Sequence, residues 1–180
     1  MRHLYFNICL ILFCLIVFQV HAHAPDAELA NMTYMIGDEN HSQKVTLLEG
    51  KYRYPDEHPL LCVYYEGEFI YGDFNKDELL DAAVIIRDSG GGSGYSTNLA
   101  FLINDGTELV HKSSYDLGYR PGIIFLNEKE GKVIVDMYVN DKDTRVEGIR
   151  KREQVVFEYA GPTSWGTDLG YPMRSPEDKS

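Results

Sequence analysis

The segment "GDFNKDELLDAAVIIRD", Gly72–Asp88, decides the fold. Its first half places Asp73, Asn75, Asp77 and Asp81 at odd spacing, and its second half is the apolar run Ala82 to Ile86. Two local structures compete for it. If Asn75 caps a helix, Asp77 and Glu78 fall in its first turn, and Leu79, Leu80, Ala83, Val84 and Arg87 fall at helical spacing. If the run is a strand, Ala82, Val84 and Ile86 line one face and Ala83 and Ile85 the other, as in a strand buried on both sides. The run ends in three β-branched residues, which lose rotamer freedom in a helix and pack well on a pleated surface. The strand is therefore preferred, and residues 73–81 become the loop that leads into it.

Outward from this segment the chain alternates short apolar runs with turn residues. "KVTLL" ends at Glu49-Gly50, "KYRY" stops at Pro55, and "LLCVYY" is followed after Glu66-Gly67 by "EFIYG", which suggests a hairpin. "STNLAFLI" leads to Asn104-Asp105-Gly106, a strong hairpin signal, and "TELVHKSS" returns from it. In "KVIVDMYV", Val133, Val135, Met137 and Val139 alternate with Lys132, Ile134, Asp136 and Tyr138, a period of two with one apolar face. "EQVVFEYAG" closes the pattern. Turns roughly every ten residues, without a long helical period, predict an all-β fold of mainly antiparallel sheet, a sandwich or barrel-like. A short helix is expected at "PDAELAN" near residue 25, in a single β-rich domain over residues 23–161. The remainder, residues 162–180, is rich in Pro, Gly, Ser and Thr and reads as an extended or disordered tail.

Residues 1–22 have the layout of a secretory signal peptide: Arg2, then the apolar run from Leu4 to Val20, then small residues for cleavage. Cleavage after Ala22 is preferred over cleavage after Ala24, which would leave Pro25 first. The run is at the short limit for crossing a bilayer, which usually takes about 20 residues. The expected localisation is secreted or periplasmic, with no membrane association after signal removal.

Seventeen Lys and Arg against 28 Asp and Glu give a net charge of −11. A surface this acidic attracts cations and repels polyanions, so nucleic acid is not an expected partner. Cys9 and Cys14 lie in the signal, which leaves Cys62 alone and allows no intrachain disulfide; within "LLCVYY" it reads as a buried small hydrophobe. The fold must therefore stand on its core, with a bound metal as the one brace left to it.

The loop at 73–81 is the candidate site. In a linear calcium loop, side-chain oxygens at positions 1, 3 and 5, a main-chain carbonyl at 7 and a later carboxylate surround a hard cation at about 2.3–2.6 Å. With Asp73 as position 1, Asn75, Asp77, Leu79 and Asp81 take positions 3, 5, 7 and 9. Position 12 is Val84 where an EF-hand needs a bidentate Glu, so this is not an EF-hand. One calcium ion held by Asp73, Asn75, Asp77, the Leu79 carbonyl and Asp81 is the expected cofactor.

This spacing resembles the nine-position calcium loop of integrin-type FG-GAP repeats, D-x-[DN]-x-[DN]-G-x-x-D between two strands, with Glu78 where that loop has glycine. Residues 72–104, with "LGYR" at Leu117 to Arg120 and "GKVIVDMYVNDKD" at Gly131 to Asp143, also resemble a group of uncharacterised exported bacterial proteins carrying a GDLNGDG-DAAV-GGSG-LA core. That resemblance implies a shared fold and brings no activity with it. Tyr119 replaces the Asp of the group's "LGDR", and the paired cysteines near the end are absent.

Catalytic signatures fail on inspection. A G-x-S-x-G elbow around Ser93 would need Gly at Tyr95, and "GGGSG" lacks the Gly-Lys that ends a phosphate loop. His41, His58 and His111 have no zinc spacing and read as solvated surface. Thirteen tyrosines can supply a contact face. The expected function is a non-catalytic, calcium-braced exported β-domain, a binding or structural module for an unknown protein or glycan. The alternative is a periplasmic hydrolase or hydrolase inhibitor, which would gather titratable groups in a cleft.

Overall fold

A computed structural model of the chain describes residues 25–37, 42–53, 61–90, 94–140 and 150–162. The expected signal peptide and nearly all of the expected tail lie outside the described residues. A five-residue helix, α1 (Pro25–Leu29), precedes ten strands: β1 (Thr33–Gly37), β2 (Ser42–Thr46), β3 (Lys51–Arg53), β4 (Cys62–Gly72), β5 (Asp81–Ser89), β6 (Ser96–Asn104), β7 (Leu109–Tyr119), β8 (Gly122–Lys129), β9 (Lys132–Asn140) and β10 (Arg150–Glu158). All the pairings are antiparallel. Among the described residues no helix is long and apolar enough to cross a membrane.

The strands form three open sheets, ordered β3-β4-β5-β6-β7, β10-β9-β8 and β1-β2. The five-stranded sheet is the middle layer because its central strands are apolar on both faces. Ala82, Val84 and Ile86 of β5, with Ala100 and Leu102 of β6, pack against Tyr34, Ile36 and Val45 of the β1-β2 hairpin and Leu29 of α1. Ala83 and Ile85, with Leu99, Phe101 and Ile103, face Val133, Val135 and Met137 of β9 and Phe157 of β10. The fold is thus a layered sandwich, and the alternation of residues 82–86 is its centre. Cys62 is buried, as expected.

Two turns take the form their residues dictate. Glu49-Gly50 (φ 52° and 78°) and Glu130-Gly131 (φ 57° and 74°) have consecutive positive φ values, the primed turn that matches the twist of paired strands. The Asn104-Asp105-Gly106 connection is a hairpin with a wider tip than a two-residue turn. Its loop runs from Asp105 to Glu108, with the Asp105 carboxylate accepting the N–H groups of Thr107 (3.0 Å) and Glu108 (3.1 Å).

The expected hairpin at Glu66-Gly67 is not one. β4 runs through it as a single strand whose register against β5 shifts between Tyr65 and Phe69, so that residues 66–68 stand opposite Ile85 alone. Gly67 takes φ 93° at the bulge. The cause lies on β5. Arg87, only 8% exposed, donates to Glu66 Oε2 at 2.6 Å and to Glu68 Oε1 at 2.8 Å. The bulge brings both carboxylates to one guanidinium that would otherwise be buried unpaired.

Candidate metal centre

Residues 73–80 form a bend-rich loop between β4 and β5, so the helical alternative does not occur. The loop closes on its own acidic side chains. The Asp73 carboxylate accepts the N–H groups of Asp77 and Glu78, each at 3.1 Å. Asn75 Oδ1 also accepts the Asp77 N–H (3.1 Å), and Asp77 Oδ1 accepts the Leu79 N–H (2.9 Å). The Asn75 amide donates to Asp77 Oδ2 at 2.7 Å. Asp73, Asn75 and Asp77 are thereby brought together at the head of the loop.

Asp81 has a different place. It is wholly buried. Its Oδ2 accepts the N–H groups of Phe74 (2.8 Å) and Asn75 (3.3 Å), and its Oδ1 accepts that of Asn104 at the end of β6 (2.9 Å). The side chain therefore ties the start of the loop to the neighbouring strand, a role that spacing alone does not disclose. Leu79 is an exposed loop residue.

The turn chemistry carries a cost. Glu78 sits at φ 69°, at a position that the GDLNGDG pattern gives to glycine, and Lys76 sits at φ 64°. Lys76 occupies the other glycine position of the GDLNGDG pattern. Each places a Cβ in a region that disfavours it, at roughly 1 kcal/mol. In this form the Asp73 and Asp77 carboxylates collect the N–H groups of Asp77, Glu78 and Leu79.

Three neighbours complete the surroundings. Phe74, at the second loop position, is 2% exposed and stacks edge-on against Phe101 with centroids 5.2 Å apart, anchoring the loop in the core between the central sheet and β9-β10. The turn after β8 lies against the loop so closely that a Cβ on Gly131 would stand 3.1 Å from the Asp73 carbonyl oxygen. Tyr159 lies beside Asp81, and burial first, with that carboxylate second, pushes its hydroxyl pKa up. An isolated aromatic inside a polar loop was the one visible signal for Phe74; Asn104, Gly131 and Tyr159 had none.

Among the described residues no three His, Cys, Asp or Glu side chains are gathered at one point. A cation here would therefore need the Asn75 amide oxygen and main-chain carbonyls beside Asp73 and Asp77, a hard-oxygen set of the kind calcium takes. The hydrogen bonds leave lone pairs for this, since a carboxylate oxygen that accepts one N–H retains a second acceptor site. Asp81 is the member most fully committed to backbone.

His111 corrects another expectation. It is not solvated surface: Nδ1 accepts the Met35 N–H at 2.7 Å, and Nε2 lies 3.0 Å from the Ser113 carbonyl oxygen and 2.9 Å from Ser114 Oγ. Burial holds its pKa down to about 4, although the bond to Ser113 works the other way. A neutral ring thus joins β1 to β7.

Comparison with known protein families, with curated proteins and with solved structures finds no match to this chain.

Proposed function

We propose that this protein is an exported, non-catalytic β-domain braced by one calcium ion in the loop 73–81, and that it serves as a binding module. The observation that carries the calcium reading is the gathering of Asp73, Asn75 and Asp77 at the head of one loop, held there by the loop's own N–H groups with acceptor sites to spare. Asp73, Asn75 and Asp77 would hold the ion with main-chain oxygen from the Leu79 region, while Asp81 fixes the loop ends. The ion would neutralise clustered carboxylates and lock the β4-β5 connection onto the β8-β9 turn. Secretion or periplasmic residence, expected from residues 1–22, would supply the calcium, which outside cells fills even weak sites.

The test is a thermal melt of the protein lacking residues 1–22, in chelator and then in rising calcium. The melting temperature should climb with the logarithm of calcium concentration above the dissociation constant. Magnesium should do less, since it dehydrates reluctantly and demands an octahedral shell. An unchanged melt from chelator to several millimolar calcium returns the loop to a calcium-free acidic turn.

A further inference from the structure

The end of β5 away from the acidic loop carries a cluster that calcium does not explain. Three stretches meet there: Arg87, Gly94-Tyr95 and, some 25 residues further along, Tyr119-Arg120. The Arg87 guanidinium lies 5.9 Å from the Tyr95 ring centroid, and that of Arg120 lies 5.6 Å from the same ring and 6.0 Å from Tyr119. The two arginines differ in their partners. Arg87 is neutralised by Glu66 and Glu68. Among the described residues no carboxylate pairs with Arg120, in a chain with 28 acidic residues.

The local backbone is shaped to present this group. Arg120 takes φ 53° immediately before Pro121, at the corner where the chain leaves the central sheet for β8. Glu49 and Glu130 adopt similar values inside two-residue hairpin turns, where the turn type demands it; Arg120 is in no such hairpin. Its N–H donates to the Tyr95 carbonyl at 3.2 Å, which fixes the corner. Tyr119 crosses Gly94 so closely that a Cβ there would collide with the phenol ring, yet Tyr119 remains 58% exposed. Strain at a non-glycine residue, a stacked guanidinium that no carboxylate of the described residues pairs, and an exposed ring held over a glycine occur together.

We propose that Tyr95, Tyr119 and Arg120 form a docking site for an extended polypeptide segment of a partner protein. The Arg120 fork receives one carboxylate of that segment, and Tyr119 receives the apolar side chain beside it. Tyr and Arg are the residues that most often anchor interfaces, and a planar guanidinium suits a carboxylate. A densely anionic ligand is disfavoured because the whole chain is at −11. A polypeptide is favoured over a saccharide because the site ends β7, the outermost strand of the central sheet, and main-chain groups of such a strand recognise another main chain. This site rests on the binding-module reading and gives it a ligand class.

The probe is acetyl-Thr-Phe-Glu-Thr-amide, titrated in the presence of calcium and followed by amide NMR shifts, with the Gln analogue and tetragalacturonate as comparison ligands. The Glu peptide should move the amides of Tyr95, Gly118 and Arg120, and the Gln analogue should bind about tenfold more weakly or worse, as expected for loss of a charge-assisted bond. Arg120→Gly should weaken binding by a similar factor while the melting temperature stays level or rises, because glycine suits the corner. That pairing separates a binding role from a structural one. Equal binding of the Glu and Gln peptides, tighter binding of tetragalacturonate, no shift at ~10 mM peptide, or unaltered binding by Arg120→Gly would each overturn the proposal. A calcium-dependent melt without peptide binding rejects this site alone; peptide binding without a calcium effect rejects the brace alone.

Discussion

The two ends of β5 handle charge in opposite ways. At Asp81 a buried carboxylate is satisfied by main-chain N–H groups of the preceding loop and of Asn104. At Arg87 a nearly buried guanidinium is satisfied by two side chains, Glu66 and Glu68, delivered by a bulge. Backbone groups cannot move away without unfolding the loop, whereas a side chain such as Glu66, well exposed at its tip, can swing into water. The acidic end should therefore be the brittle one, and the basic end the tolerant one that can leave a cation open to a partner.

The sharpest test of that contrast is a pair of substitutions read by urea denaturation. Asp81→Ala should cost about 3–5 kcal/mol, since it strands three donors in the interior. Glu66→Ala should cost at most about 1 kcal/mol, because Glu68 still pairs with Arg87 and the lost partner is exposed. Similar losses for the two would break the comparison.

Acid reaches a third place, the docking of β1 on β7. The His111 pKa is about 4 in the folded protein against an ordinary 6.5, so the unfolded chain binds the proton more readily. Stability from this group is complete above pH 6.5 and declines as pH falls toward 4, by about 3 kcal/mol in all. Measured unfolding free energies between pH 7 and 4 should show this limb, and His111→Gln should flatten it. A limb unchanged in His111→Gln would assign acid sensitivity to the ends of β5 instead.

Calcium should strengthen the brittle end alone. At a hundredfold excess over the dissociation constant the stabilisation is about 2.7 kcal/mol. Asp77→Ala should abolish it without the large loss of Asp81→Ala, as Asp77 is exposed and bonds only within the loop. If Glu66→Ala abolished the calcium shift instead, the two ends would be coupled through the sheet.

The smallest effects concern backbone strain. Lys76→Gly and Glu78→Gly should each stabilise the protein by up to about 1 kcal/mol by relieving positive φ, and Glu78→Gly should also tighten calcium. Thermal melts of the two variants, with and without calcium, measure both. A loss of stability in each would mean that Lys76 and Glu78 make contacts worth more than their strain.

Much of this architecture was determined by sequence alone, wherever the deciding interaction is between near neighbours. The two-faced alternation of Ala82 to Ile86 and the one-faced alternation of Val133 to Met137 set the middle and outer layers, since side chains in a strand alternate whatever lies beyond. Glu49-Gly50 and Asn104-Asp105-Gly106 marked turns, and the spacing of Asp73, Asn75 and Asp77 marked the loop, because these are properties of a few consecutive residues. Tertiary structure decided the rest. Glu66-Gly67 became a bulge rather than a hairpin because Arg87, some twenty residues away, needed both flanking carboxylates. His111 was bonded by a main-chain donor 76 residues before it, and Asp81 was committed to Asn104 across the sheet. The Tyr95, Tyr119 and Arg120 cluster exists only where β6 and β7 meet. A buried charge or ring takes its role from whichever distant group removes its desolvation cost, and no local period encodes which group that will be.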